Sequence, residues 1–204
     1  MSFLYQNADL KILLWSGIIL QTENSVFPFM SNAALKRCCY LILIFFAGCL
    51  AGWLYEEIFY WITEGVLRDR GILYGPWLPI YGMGALAIYA MKPLKKNPLL
   101  LFLLCIGTTG VLEYALGYIG INYFGLRLWD YRGLFLNLNG IICFRSVMSF
   151  GIMGMFFHYV LEPYGEELYN KLSLKTVCAI CFALLLMFGA DCIFSSFFHT
   201  PITY

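Results

Sequence analysis

The sequence has few charged residues. Asp, Glu, Lys and Arg together make up 12% of the 204 residues, whereas a soluble domain usually carries about 25%. The formal net charge is +1, which gives no support for binding to nucleic acid. The scarcity of charge instead indicates a chain whose solvent is a lipid bilayer.

Familiar catalytic and metal-binding motifs are also missing. The sequence contains no GxxxxGK[ST] phosphate loop, no HExxH and no GxSxG, so this chain cannot hydrolyse ATP and has no recognisable hydrolase signature. His158 and Glu162 are spaced i,i+4, but two ligands are too few for a metal site, and a hydrogen bond at a helix end is expected. We predict no catalytic residue, no cofactor and no metal, and an enzyme is the less favoured class.

Apolar residues are abundant, at 61% of the chain, with a mean hydropathy of +0.76. Most of them fall in runs near the ~20 residues that a helix needs to cross a bilayer. The predicted fold is therefore all-α: a polytopic integral membrane bundle of about five transmembrane helices, the second of them short and interrupted by proline and glycine. The predicted spans are Cys38–Ile62, Trp77–Met91, Leu99–Ile121, Gly140–Leu161 and Leu174–Phe194.

The first part of the chain has no span of this length. The apolar run Ile12–Leu20 is too short to cross ~30 Å of hydrocarbon, and no small-residue cleavage site follows it. We expect residues 1–37 to form an interfacial or partly disordered segment and residues 38–204 to form the membrane domain. Met30 also resembles a start codon, so an upstream extension of the membrane domain is an alternative reading of this segment.

The basic residues predict the orientation. Lysines concentrate on one side of the five-span arrangement, and the positive-inside rule places that side, with the N-terminus, in the cytoplasm. Every basic residue on or near the other side is arginine, which favours planar pairing with carboxylates or anions. The cytoplasmic set is Lys36, Arg37, Lys92, Lys95, Lys96, Lys171 and Lys175.

A polar segment separates the last two predicted spans. Pro163 stands where the fourth span should end, and Glu167 and Lys171 have the favourable i,i+4 order of a helix. We interpret Glu162–Ser173 as a helix lying on the inner membrane surface. A docking helix for a cytoplasmic partner is the alternative.

Five charged residues fall inside or at the ends of the spans, all in the outer half under this orientation. An intramembrane charge costs several kcal/mol unless it is paired or hydrated, so each is a functional hypothesis. We predict an outward-facing polar pocket with Glu56, Glu113 and Arg145 as its charged members. The alternative is that Arg145 pairs with a glutamate and holds helices together. Glu57 and Asp191, near the interface, are expected to reach water.

Two further stretches are candidate walls of this pocket. Arg70–Gly82 combines glycine, proline and interfacial aromatics and descends from the outer face, bringing Arg70, Tyr74 and Tyr81. The loop Ile121–Asn139 is long for a connector and rich in hydrogen-bonding side chains, which fits either aromatic anchors at the membrane surface or a lid over the pocket. Its candidate residues are Trp129, Asp130, Tyr131 and Asn137.

A series of short motifs occurs in order between Leu43 and Pro163. On them the chain resembles a family of bacterial membrane proteins described as putative ABC-transporter type IV, or CmpB-like ABC-transporter permeases. It departs from that family's pattern at Ile141, where arginine is expected, and Arg145 four residues later would substitute on the same helical face. The motifs are Gly52–Glu56, Arg70-Gly71, Tyr74–Pro76, Pro79–Gly82, Glu113-Tyr114, Trp129–Tyr131, Asn137 and Gly140–Cys143.

The resemblance implies the membrane half of a transporter in the bacterial cytoplasmic membrane. Five spans are few for a transport path, so this reading needs a separate ATP-binding subunit or a homo-oligomer, in addition to membrane lipids. Two other functions stay open. One is a membrane-embedded enzyme or lipid-modifying factor that uses Glu56 or Glu113, and the other is a non-transporting accessory or sensor subunit.

Overall fold

A computed structural model describes residues 31–65 and 71–198, and within these ranges the chain is an all-α membrane bundle. Four helical stretches are long and apolar enough to cross a membrane, and a fifth apolar helix is shorter. The helices are α1 (Asn32–Glu64), α2 (Pro79–Ala90), α3 (Pro98–Phe124), α4 (Phe144–Phe156), α5 (Glu162–Lys171) and α6 (Leu174–Phe198). The predicted segment 1–29, its alternative start at Met30, and Arg70 lie outside the described residues.

Helix α1 begins earlier than the predicted span. Ser31 forms its N-cap by accepting a hydrogen bond from the Ala34 amide, and Gly65 ends it in the left-handed conformation. A side-chain cap of this kind satisfies an amide that otherwise has no partner. Its 33 residues correspond to about 50 Å at 1.5 Å per residue, so α1 exceeds the hydrocarbon thickness and carries Lys36 and Arg37 within its first turns.

The second predicted span forms the short helix α2. Pro79 fixes its first turn, so Trp77 and Leu78 remain outside the helix. The Leu78 amide instead donates to the Cys49 carbonyl of α1 at 3.3 Å. Contact between α1 and α2 is close because glycines face the partner helix: a Cβ atom on Gly82 would lie 2.6 Å from the Cys49 sulfur.

The sequence predicted that Pro163 would end the fourth span, but the helix continues past this residue. Phe157–Leu161 forms a π-helical turn, in which the Glu162 amide bonds the Phe157 carbonyl. A wider turn accommodates a residue that lacks an amide proton. Helix α5 therefore continues from α4, and Phe144–Lys171 is one 28-residue helical stretch rather than a span followed by a separate surface helix. The predicted Glu167–Lys171 pair forms at 2.6 Å.

Two lysines in the connection between α2 and α3 pair with two glutamates of α5. The Lys92 ammonium lies 2.7 Å from Glu162 and 2.8 Å from Glu166, and the Lys95 ammonium lies 2.9 Å from the other Glu162 oxygen. Hydrogen bonds to Glu162 and then Glu166 raise the pKa of Lys92 above its ordinary value. We call Lys92, Lys95, Glu162 and Glu166 the lysine clasp.

His158 lies beside the lysine clasp, within the π turn. Its side chain is fully buried, and its Nε2 atom lies 2.7 Å from the Ile88 carbonyl of α2. Because a carbonyl only accepts, Nε2 carries the proton and donates. Its Nδ1 atom lies 3.9 Å from Glu162, so the predicted helix-end hydrogen bond of His158 is made to α2 and not within α4.

Helix α6 is the most loosely packed of the long helices. Only 11% of its apolar window is buried within the chain, and Phe188 packs edge-on against Phe45 and Phe46 of α1. Large apolar side chains cover the rest of its surface, including Phe182, 69% exposed, and Ile193, 66% exposed. This surface suits contact with lipid or with other helices.

Candidate functional site

A tyrosine of α2 lies across a glycine of α1 and reaches a glutamate. A Cβ atom on Gly52 would fall 2.1 Å from the Tyr81 ring, so only glycine leaves room for the ring at this position. Glu56 follows one helical turn later on the same face. The Tyr81 hydroxyl donates to the Glu56 carboxylate at 3.0 Å.

The same arrangement recurs between α3 and the loop that follows it. A Cβ atom on Gly117 would fall 2.5 Å from Ile141 and 3.1 Å from the Trp129 ring. Glu113, one turn before Gly117, is 3% exposed and accepts a hydrogen bond from the Tyr131 hydroxyl at 3.0 Å. Its second oxygen, Oε2, is buried and accepts no hydrogen bond of good geometry from the described residues, although the Ser146 side chain of α4 lies close enough to interact with the carboxylate.

These two pairs lie close enough to act on one another. Glu113 and Tyr131 each interact electrostatically with Glu56, and Tyr81 interacts with Tyr131. Burial, and then the Glu113 carboxylate, raise the pKa of the loop residue Tyr131 far above its ordinary value, so its hydroxyl stays protonated and keeps donating. We call Glu56, Tyr81, Glu113 and Tyr131 the tyrosine–carboxylate cluster.

The loop over this cluster, residues 125–143, has its own internal structure. The Trp129 indole donates to the Ile141 carbonyl at 2.8 Å, and the Tyr131 amide donates to the Gly140 carbonyl at 2.8 Å. The Asn137 side chain accepts from the Gly140 amide at 3.2 Å. Trp129, Asn137 and the Tyr131 amide therefore hold the loop closed on itself. The Tyr131 hydroxyl connects the loop to the buried Glu113 carboxylate.

Asp130 has a separate role within the loop. Its carboxylate accepts from the Arg132 amide at 2.9 Å and from the Arg132 Nε at 2.7 Å. These bonds lower the pKa of Asp130 from 3.8 to about 2. Asp130 thus braces the loop and does not face the tyrosine–carboxylate cluster.

Arg145 lies apart from the glutamates with which it was predicted to pair. Its side chain is exposed, and its guanidinium lies 5.3 Å from the centre of the Phe59 ring, at cation–π distance. Among residues 31–65 and 71–198 it forms no ion pair with Glu56 or Glu113. The expected substitution for Ile141 is also wrong, because α4 begins at Phe144 and Ile141 lies in the loop, buried against Gly117.

Tyr74 is bound by α6, through a residue for which the sequence predicted only contact with water. Asp191 accepts from the Tyr74 amide at 3.2 Å and from the Gly75 amide at 2.9 Å. Ser195, one turn later, also accepts from the Tyr74 amide, at 3.1 Å. The i,i+4 spacing of an acid and a serine near a span end was the available signal. Glu57 also differs from prediction, since it is only 8% exposed.

The part of the chain that the structure describes contains no group of three or more His, Cys, Asp or Glu that could hold a metal ion. A family model described as "Putative ABC-transporter type IV" matches residues 43–196, which extends beyond the motifs as far as α6. Comparisons with curated proteins and with solved structures gave no match.

Proposed function

The chain belongs to the family described as "Putative ABC-transporter type IV", and on that premise we propose that it is the membrane permease component of a transporter. The ligand is polar or ionic and binds at the tyrosine–carboxylate cluster. The family name specifies no substrate, and the chemistry of the site indicates the class of ligand.

The observation that carries the proposal is the free oxygen of Glu113. A carboxyl group in the middle of an apolar helix is costly unless its oxygens are satisfied, yet Oε2 accepts no hydrogen bond of good geometry from the described residues. An unsatisfied buried oxygen needs an explanation, and an ionisable residue inside a membrane span is by default a hypothesis of function. A cation or a hydrogen-bond donor would complete it.

The position of the cluster supports access from outside the cell. Helix α1 runs from Lys36 at the lysine-rich end to Glu56 about 30 Å away at 1.5 Å per residue, and the positive-inside rule makes the lysine-rich end cytoplasmic. The loop 125–143 covers the cluster from the opposite side and contributes Tyr131. This loop would therefore move when the ligand enters.

The transport path needs more than this chain. The four long helices each bury at most 28% of their apolar windows within the chain, which leaves large surfaces for a homo-oligomer or for other membrane subunits. Energy would come from a separate ATP-binding subunit, because the sequence contains no phosphate loop. We place the assembly in the bacterial cytoplasmic membrane.

Close packing supports one rival, a non-transporting accessory subunit in which the cluster only holds helices together. Tyr81 packs closely against Gly52, as expected of a contact that stabilises helix–helix association. No observation favours a membrane-embedded enzyme that uses Glu56 or Glu113.

Ligand-dependent stabilisation tests the cluster. The thermal unfolding midpoint of the purified protein in detergent is measured with tetramethylammonium, spermidine and the alkali-metal ions. We expect at least one of these cations to raise the midpoint of the wild type and of the control Glu167→Gln, and to have no effect on Glu113→Gln. An equal rise in Glu113→Gln would remove Glu113 from the site.

Copurification tests the transporter. The tagged chain is isolated from its native membrane in mild detergent, and its partners are identified by mass spectrometry. An ATP-binding subunit present in stoichiometric amount supports the proposal. Absence of such a subunit, together with unchanged uptake and growth after deletion of the gene, would favour the accessory subunit instead.

A further inference from the structure

A second polar feature lies at the lysine-rich end, between the first turns of α1 and the last turns of α5. It is a cleft of about 280 Å³, many times the ~10–15 Å³ of comparable space that holds one water molecule. None of its residues belongs to the tyrosine–carboxylate cluster. The cleft is lined by Ala33, Lys36, Arg37, Tyr40, Glu166, Tyr169 and Asn170.

Contacts between α1 and α5 fix the walls of this cleft. The Tyr169 hydroxyl donates to the Lys36 carbonyl, and the Tyr40 and Tyr169 rings pack with their centres 4.8 Å apart. The Lys36 ammonium lies 5.5 Å from the centre of the Tyr169 ring. The cleft is therefore shaped by packed aromatic rings, and one of its cations is already oriented.

The charges in the cleft are unbalanced. Its one carboxylate, Glu166, is held by Lys92 of the lysine clasp at 2.8 Å. Lys36 and Arg37 form no ion pair with any carboxylate in the ranges that the structure describes. With Glu166 neutralised, two cations face one cleft, which favours an anion with several acceptor oxygens.

The depth of the cleft indicates where this anion comes from. Lys36 and Arg37 immediately precede the apolar part of α1, so they lie at the boundary between hydrocarbon and water. Phospholipid phosphates occupy this level of a bilayer, and anionic lipids attract cations there by about 1 kcal/mol per Lys or Arg. We propose that the cleft binds the phosphate of an anionic phospholipid, with Lys36 and Arg37 as its ligands. This proposal does not depend on transport.

The test measures lipid binding by variants matched in charge. Protein in phosphatidylcholine nanodiscs is titrated with phosphatidylglycerol, and bound lipid is counted by native mass spectrometry. We expect K36Q/R37Q to bind phosphatidylglycerol about thirty-fold more weakly, from ~1 kcal/mol for each cation. The control K96Q/K175Q removes two cations of the same end outside the cleft and should bind as the wild type does. Equal loss in both variants would overturn the proposal.

Further arms separate this site from simpler explanations. The conservative K36R/R37K should retain binding, and the exposed Arg37 changed alone, in R37Q, should lose about five-fold without disturbing the packing of Tyr169. If the wild type retained phosphatidylcholine as strongly as phosphatidylglycerol, the proposal would be overturned. Inorganic phosphate that bound to the protein in phosphatidylcholine nanodiscs at least as tightly as phosphatidylglycerol does would assign the cleft to free phosphate and would overturn the lipid as its source.

Discussion

At the lysine-rich end, the buried Glu162 has an ammonium group on each of its oxygens, whereas at the opposite end the buried Glu113 has a tyrosine hydroxyl on one oxygen and no described hydrogen bond of good geometry on the other. The two residues are equally buried, each at 3% exposure. Burial alone therefore does not distinguish them. The chemistry of their partners does.

This difference separates a structural glutamate from a candidate functional one. Two ammonium groups balance the charge of Glu162 and join the connection between α2 and α3 to α5, which accounts for its burial without any ligand. The Tyr131 hydroxyl only partly compensates Glu113, so its burial needs a further explanation.

Breaking the lysine clasp should cost the most stability. We expect Glu162→Gln to lower the free energy of unfolding by about 3 kcal/mol, the low end of the range for breaking a buried ion pair, because Lys92 and Lys95 retain 38% and 30% exposure. Unfolding by dodecyl sulfate in mixed micelles measures it. Glu167→Gln, at an exposed pair, is the control, and equal losses in the two variants would contradict the contrast between them.

Filling the space beside Gly117 should cost about 2 kcal/mol, within the range for overpacking. The added methyl group of Gly117→Ala would displace Ile141 and Trp129 and, with them, the loop that carries Tyr131. Gly107→Ala, in the same helix, has nothing within 4 Å of the added atom and should be neutral or stabilising. Trp129 fluorescence and the same unfolding measurement follow both variants. An unperturbed loop in Gly117→Ala would contradict this account.

Removing the Tyr131 hydroxyl should cost about 1 kcal/mol, the usual net value of one hydrogen bond. Tyr131→Phe keeps the ring in place but removes the hydroxyl that donates to Glu113. Tyr123→Phe, at a side chain that is 77% exposed, is the matched control in the same unfolding assay. A loss of unfolding free energy no greater than that of the control would show that this hydrogen bond adds nothing to stability.

Neutralising Glu113 should change stability by less than about 0.5 kcal/mol, because removing a buried charge offsets the weakened bond to Tyr131. Glu113→Gln is thus the mirror of Glu162→Gln: the same substitution at the same burial, with a small effect on unfolding. A loss as large as that of Glu162→Gln would make Glu113 a structural residue and would remove the contrast between the two ends.

The smallest effect concerns the brace of the loop. Because the pKa of Asp130 is lowered from 3.8 to about 2, its contribution to loop stability is fully present above pH 3.8 and is lost as the pH falls towards 2. Carbon-13 NMR titration of the carboxyl group measures this, and Arg132→Gln should return the pKa towards its ordinary value. Titration near 3.8 in the wild type would contradict the brace.

Much of the fold follows from local pattern. Apolar runs predict the long helices because length and composition alone decide whether a segment crosses a bilayer. The error at Pro163 arises because a π turn makes the proline compatible with a continuous helix, and the surrounding sequence does not distinguish that turn from a break. The short α2 was visible in the sequence as an interrupted span.

The site was less accessible to prediction than the fold. Glu56, Tyr81, Glu113 and Tyr131 were all named from the sequence, since intramembrane acids and interfacial tyrosines are conspicuous. Their pairing depends on which side chain lies across Gly52 or Gly117, and that is decided by packing between distant segments. Arg145 shows the same limit, because a predicted depth in the membrane similar to that of two acids says nothing about which way its helix faces.

The short helix α2 has a consequence for the surrounding membrane. Its 12 residues reach only about 18 Å, against ~30 Å of hydrocarbon. The remaining depth falls to the irregular stretch before Pro79, whose Tyr74 and Gly75 amides are satisfied by Asp191 of α6. Hydrophobic mismatch of this kind is relieved by local thinning of the bilayer or by a neighbouring helix. The chain should therefore prefer thin membranes, or an oligomer that shields α2 from lipid.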